Sequence, residues 1–379
     1  MNPCKAIPAS AILAADMLGI HPPRLNVLDE YCQRMIDEDK HPFIGFRVLR
    51  YGQLIFSSEY GTQSPDSPPL RTDAIYPLAS VTKPILAACA AIMQEDGMLD
   101  FYDQLNKHYP EFKGEYKNEV ILWQLLCHTS GMHDELQEKH WKDTHGDAWD
   151  LPWEVCRDTM LEAPLAWKPG TGFRYSSFAY NLIQELIEKT TGETLEQYAK
   201  HKIFDPLGMS DTHWFLPEEK RDRFVTRDLS FKAGEWLSGE NAMTSLAASG
   251  GLKSTLDDMV KFGQMWLQAG TLNDQRILSP ASVRTMMHNH NNGVPPSDYF
   301  GRSLGADWGL GWNVKGFKTD DRGFLRSEIC IDHGGVGGAC LLIDPEYDLV
   351  FMCYFAEKEV TSQYDDFGPA VNILYSALD

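Results

Sequence analysis

Strand-forming runs in this chain are confined to its two ends, and that separation constrains the fold more than any other feature of the sequence. Near the start, apolar residues recur at helical spacing from Leu25 to Met35. They give way to IGFRVLRYGQLIFSSEYG, two β-rich runs broken at Tyr51-Gly52. The pattern predicts a helix followed by a β-hairpin, because a 3.6-residue period lines one helix face while β-branched and aromatic residues suit a pleated strand. Near the end, CLLIDPEYDLVFMCYF supplies two more strand-like runs about a turn at Pro345 to Asp348, and a helix around Pro369 to Ala377 closes the chain.

The middle is different. GTQSPDSPPLRTDAIYPLAS, rich in Pro, Ser and Asp, predicts a loop that leaves the sheet and ends at Ser80. From Ser80 to about Gly250, the segments VTKPILAACAAIMQEDG, VILWQLLCH, YNLIQELIEKTTG and LEQYAKHKIF carry apolar stripes and stop near Gly or polar residues. After SGGLKS comes one more helical segment, LDDMVKFGQMWLQAG, and then a stretch rich in Gly and Trp. We therefore expect residues 1–75 and 251–379 to form one discontinuous α/β unit and residues 76–250 to form an inserted, mainly helical one.

Composition narrows the partners. With 43% apolar and 23% charged residues the chain is ordinary globular material, and 34 basic against 54 acidic residues give a formal charge of −20. Such a charge repels phosphate backbones and anionic lipid heads, so neither nucleic acid nor a membrane surface is an expected partner. The eight cysteines include no C-x-x-C pair, and several, such as Cys89 and Cys353, sit in apolar runs. They read as small buried hydrophobes in a reducing compartment, with no zinc site and no disulfide scaffold. His128 and His133 form no H-E-x-x-H pattern, so no metal and no cofactor are expected. The expected compartment is cytoplasmic, with export as the alternative suggested by the short apolar stretch AIPASAILAA behind Lys5. No run reaches transmembrane length.

Ser80-Val81-Thr82-Lys83 is the one S-x-x-K of the sequence, and about one such match is expected by chance. Pro84 adds context, since a helix tolerates proline only in its first turn, which puts Ser80 at or beside the N-cap. Proline also biases Lys83 away from the helical region. On a helix beginning here, Ser80 and Lys83 share one face near the positive helix end, a nucleophile with an ammonium beside it. The same residues read equally as a capping serine and a solvated lysine. Tyr175 alone would be a half-buried packing aromatic, and DHGGVGG alone a Gly-rich turn.

The order of LASVTK, LLCHTSGM, FRYSSFAYNLI, SGGLKST and DHGGVGG resembles class C β-lactamases and their relatives, the D-Ala-D-Ala carboxypeptidases and lactamase-like esterases, over residues 25 to 377. The resemblance implies a β-lactamase/transpeptidase-like fold, an antiparallel sheet flanked by helices with an inserted helical domain and the active site at their interface. It implies that Ser80 is acylated, with Lys83 and Tyr175 as catalytic partners. The backbone N–H groups of Ser80 and Val336 would form the oxyanion hole, and Ser177, His333, Gly334 and Gly335 would meet the substrate. A phenol ionises at about pH 10, so Tyr175 as a base would need a shift of about 3 units, with Lys83 the obvious source. The SGGLKS and HTSGM segments are expected to shape the helical unit and loops, with no direct chemistry.

Two departures bear on substrate. Ser177 stands where the β-lactamases have Asn, and His333 stands where they have the Lys of K-T-G. A hydroxyl reaches less far than an amide, and a neutral histidine is a poorer partner for a carboxylate than a lysine. Both resemble the esterase branch and imply hydrolysis of a small-molecule ester. The alternatives are a β-lactam, a D-amino-acid peptide (amide hydrolysis), acyl transfer, or a non-catalytic binding homologue. The insert HDELQEKHWKDTHGDAWDLPWEVC, with Trp141, Trp149 and Trp153, reads either as a wall of the acyl pocket or as a packed surface helix.

Overall fold

A computed structural model describes residues 18–62, 67–146, 152–225, 239–299, 302–357 and 366–379. Trp149, Cys4 and the N-terminal apolar stretch lie outside the described residues.

The first helix, α1 (Pro22–Asp37), opens on two prolines whose missing N–H groups have no partner to lose there. It leads into the hairpin of β1 (Phe43–Arg50) and β2 (Gln53–Gly61). Tyr51 and Gly52, at φ +50 and +70, make the tight turn, whose two positive φ values match the right-handed twist of the flanking strands. Four further strands come from the other end of the chain: β3 (Asn313–Val314), β4 (Ile331–Gly335), β5 (Ala339–Asp344) and β6 (Leu349–Phe355). They complete a six-stranded antiparallel sheet in the order β2-β1-β6-β5-β4-β3, zipped together where Ile44 pairs with Phe355 and Arg50 with Leu349.

Alternation along each strand sorts its residues between the two faces. Ile44, Phe46, Leu342, Phe351 and Cys353 pack under α1 and the closing helix, α6 (Phe367–Tyr375). Leu341, Ile343, Val350, Met352 and Tyr354 point the other way, toward α5 (Leu256–Leu267). Helix α5 comes close because Gly263 has no side chain: a Cβ there would lie 2.5 Å from Val350 Cγ1.

Beyond α5 lie α2 (Thr82–Glu95), α3 (Asp134–His145) and α4 (Phe178–Thr191). Every residue of α2 from Thr82 to Met93 is buried, so it is a central helix without a solvent face, and it packs on α4. LEQYAKHKIF, one helix by its periodicity, divides into α-helical Leu195–Ala199 and a wider π-helical turn, Lys200–Phe204. Among the described residues no helix is long and apolar enough to cross a membrane. Cys32, Cys89, Cys127, Cys330, Cys340 and Cys353 are buried free thiols, and Cys156 is half-buried and free.

Candidate active site

Ser80 sits in a 3₁₀ turn, Ala79–Val81, that runs directly into α2. Pro84 falls in the first turn of that helix, and its N-cap is Val81, with no side chain closing the helix end. The turn is unusual at Ala79, whose φ of +46 is a left-handed conformation that side chains resist. A clamp holds it there. Thr82 Oγ1 donates to Ala79 O at 2.6 Å and accepts from Leu252 N–H at 3.2 Å, while Leu78 N–H donates to Leu252 O at 2.9 Å.

Lys83 Nζ donates to Ser80 Oγ at 3.0 Å and to Ser249 O at 2.8 Å. The lysine has no solvent exposure, and its Nζ lies 4.8 Å from the Tyr175 ring centroid and 5.6 Å from that of Tyr180. Burial lowers its pKa to about 7, with Asp134 acting weakly in the other direction. Burial thus favours the neutral amine over the ammonium at Lys83.

Tyr175 is held through the two serines next to it in the chain. Asp134, the first residue of α3, accepts from Ser176 Oγ at 2.6 Å and from Ser177 N–H at 2.8 Å, so one carboxylate pins the turn leading into α4. His128 accepts Ser176 N–H on Nδ1 at 3.1 Å. A backbone N–H only donates, so Nδ1 carries the lone pair and the hydrogen of the neutral ring is on Nε2. The His128 ring lies 4.4 Å from that of Tyr175, and Trp308 closes the group at 5.0 Å from His128 and 5.7 Å from His333.

Strand β4 forms the opposite wall. A Cβ built on Gly335 would run into the carbonyl oxygen of Leu78, so the strand reaches the Ser80 turn only because no side chain intervenes. Gly334 lends its carbonyl to His333 Nδ1 at 2.9 Å, and Val336 follows at once, half-buried. Its neighbour Gly337 donates its N–H to Glu357 at 3.2 Å. The His333 ring centroid is 6.1 Å from that of Tyr175. Burial, then the Lys83 charge, hold His333 well below the usual imidazole range. His128 is neutral for the same two reasons. Beside this group Val294, Ala306, Asp307, Asn291 and Lys318 border a cavity of about 330 Å³, and Val294 and Ala306 also pack against the Tyr175 and Trp308 cluster.

A family model described as Beta-lactamase matches residues 28–367. The chain belongs to the β-lactamase family. With it comes the serine-hydrolase superfamily of β-lactamase and penicillin-binding-protein type. Protein Rv1367c of Mycobacterium tuberculosis (strain ATCC 25618 / H37Rv) is 25% identical over 342 residues, which cover 80% of this chain and 83% of that relative. Among solved structures, EstCE1, a hydrolase with promiscuous acyltransferase activity, superposes with a TM-score of 0.73 at 20% identity, covering 96% of this chain and 99% of the other. A family VIII carboxylesterase does so with a TM-score of 0.73 at 18% identity, covering 95% and 98%. The β-lactamase/transpeptidase-like fold expected from the motif order is the fold observed.

Within this family frame the structure brings Ser80, Lys83, Tyr175 and His333 together, with Ser177 one helix entry away and Gly334 and Gly335 on the strand. It corrects the expectation that SGGLKS and HTSGM only shape loops. The Ser249 carbonyl binds Lys83, and His128 stacks on Tyr175, because both segments fold back across α2 and α4. Trp141 packs instead of lining the site: it is wholly buried, with its ring 4.6 Å from that of His145, and Trp153 donates to Glu185 at 3.2 Å. The aromatic wall is Trp308. Sequence reasoning missed Asp134, His128 and Trp308 as site residues, and H-T-S-G, as a fixed neighbour of the other motifs, was the one signal for His128.

Proposed function

We propose that this protein is a carboxylic ester hydrolase that forms an acyl-enzyme on Ser80. The observation that carries the reading is the 3.0 Å contact between Ser80 Oγ and a Lys83 amine buried under two tyrosine rings. In this reading the neutral amine takes the Ser80 proton as Oγ bonds to the ester carbonyl carbon. The carbonyl pair moves onto oxygen, where the backbone N–H groups of Ser80 and Val336 receive it, each worth about 3 kcal/mol. Collapse breaks the ester C–O bond, and the departing alkoxide takes a proton from the Lys83 and Tyr175 pair. Water then attacks the acyl carbon, passes its proton to Tyr175 and Lys83, and the acid leaves as Ser80 recovers its hydrogen.

Esters are favoured over β-lactams or D-peptides by the two departures at the rim. A neutral His333 offers no cation to a carboxylate, and Ser177 is shorter than an amide. The same reading takes residues 1–75 and 251–379 as one unit and 76–250 as a second, with the site at their junction. Support comes from β4 belonging to the sheet while Ser80, Lys83 and Tyr175 belong to the helical segment.

Hydrolysis of p-nitrophenyl acetate, butyrate and octanoate beside a chromogenic cephalosporin tests this on wild type and Ser80→Ala. We expect turnover of the short esters, little of the cephalosporin, and a loss of about four orders of magnitude in kcat for the variant. Activity surviving in Ser80→Ala would remove the nucleophile. A cephalosporin turned over faster than the esters would remove the substrate preference.

A further inference from the structure

We propose that His333 determines specificity by selecting esters that carry an O–H or N–H group, its Nε2 accepting the hydrogen bond from that group. This deepens, and rests on, the ester-hydrolase reading above. The geometry fixes the polarity of the ring. Nδ1 lies 2.9 Å from the Gly334 carbonyl, which can only accept, so Nδ1 keeps its hydrogen and the lone pair is on Nε2. Nε2 is buried and has no hydrogen-bond partner among the described residues, and the side chain as a whole is 2% exposed. An acceptor left unfilled in such a place costs free energy unless something arrives to fill it.

The ring stands among the side chains grouped around Lys83, the partner of Ser80. His333 pairs across the sheet with Leu341, which faces α5, so it projects from the same face toward Lys83, Tyr175 and Trp308. Strand β4 is pressed against the Ser80 turn at Gly335, two residues on. Arg322 and Arg326 are occupied by Asp332 on the opposite side of the strand, and Lys318 Nζ is occupied by Asp307 O at 2.8 Å and Asn313 Oδ1 at 2.5 Å. At this position a carboxylate would therefore set its lone pairs against that of Nε2, whereas a hydroxyl or amide N–H would complete a hydrogen bond. His128 makes the contrast sharper. Its tautomer is the reverse, with a hydrogen on a buried Nε2 that also has no partner among the described residues.

Four probes separate the possibilities: ethyl butyrate, ethyl 3-hydroxybutyrate, 2-hydroxyethyl butyrate and monoethyl succinate, followed by pH-stat on wild type, His333→Phe and His333→Lys. The two hydroxylated esters place the donor on the acyl and on the alcohol side. At least one should exceed ethyl butyrate in kcat/KM by about five-fold, with the succinate ester lowest. In His333→Phe the ratio of hydroxylated to plain ester should fall to about one, and in His333→Lys the succinate ester should become the best of the four. Equal turnover of all four by wild type, or a hydroxyl preference that survives in His333→Phe, overturns the proposal and leaves the hydrolase reading standing. If wild type hydrolyses none of them, binding of the same four to Ser80→Ala, measured by NMR titration, decides the matter. Selective binding of a hydroxylated ester keeps the His333 assignment while the hydrolase reading falls, and indifferent binding removes both.

Discussion

The two sides of strand β4 are built on opposite terms. On one side Asp332, wholly buried, is saturated: Arg322 donates to one carboxylate oxygen, while Arg326 at 2.6 Å and Asn313 at 2.7 Å donate to the other. Asp320 backs Arg326, so the guanidinium is held from two directions. One residue later and facing the other way, His333 leaves its Nε2 without a partner among the described residues, near a lysine whose pKa burial has lowered. Charge on the Asp332 side is neutralised internally, whereas on the His333 side an acceptor is held in place without a partner among the described residues. The lesson is that burial of an ionisable group says little by itself. What it touches decides between support and chemistry.

That contrast can be broken, and the scaffold side should show the largest effect. Asp332→Asn keeps the shape but removes the one carboxylate that Arg322 and Arg326 share, leaving Arg326 with Asp320 alone, and should cost about 3–5 kcal/mol in urea unfolding. A smaller cost than that of a surface substitution would mean the network is not structural. Next comes pH. Lys83 is lowered to about 7, so kcat/KM for a neutral ester should fall about ten-fold per pH unit below 7 as the amine is protonated. The effect on folding has the same sign. Between about pH 7 and the ordinary lysine range the unfolded chain binds the proton that the folded one refuses, so this residue makes stability rise with pH across that window. A flat rate profile from pH 5 to 8 would sink Lys83 as the acceptor. The smallest effect is expected at His128→Phe, which keeps the stack on Tyr175 but removes the acceptor of Ser176 N–H. It should cost about 1–2 kcal/mol of stability, with the larger consequence in kcat because Tyr175 loses its tether. Equal damage to stability and none to kcat would assign His128 to the scaffold.

How much of this was legible in sequence depends on how local each feature is. The hairpins, α1, α2, α4, α5 and α6 announce themselves through apolar period and turn residues, which neighbours in the chain decide. Ser80 and Lys83 were visible because one helical turn joins them. Asp134, Ser249 and Trp308 were not, since each enters the site from a loop or helix end far along the chain and gives it only a carboxylate, a carbonyl or a ring face. His333 was legible as a departure from a pattern, while its tautomer was not. That depends on the side-chain orientation that sets Nδ1 against the next residue's carbonyl.

The absent side chain at Gly335 has a further consequence for redesign. Where β4 meets the Ser80 turn, main chain meets main chain, so how closely the strand approaches that turn is set by peptide geometry rather than by rotamers. In the ester-hydrolase reading, substitutions at Ser177, His333 or Trp308 would then change the side chains around Ser80 without moving the strand against that turn. Such a cleft can swap its clientele by point mutation while keeping the same ruler.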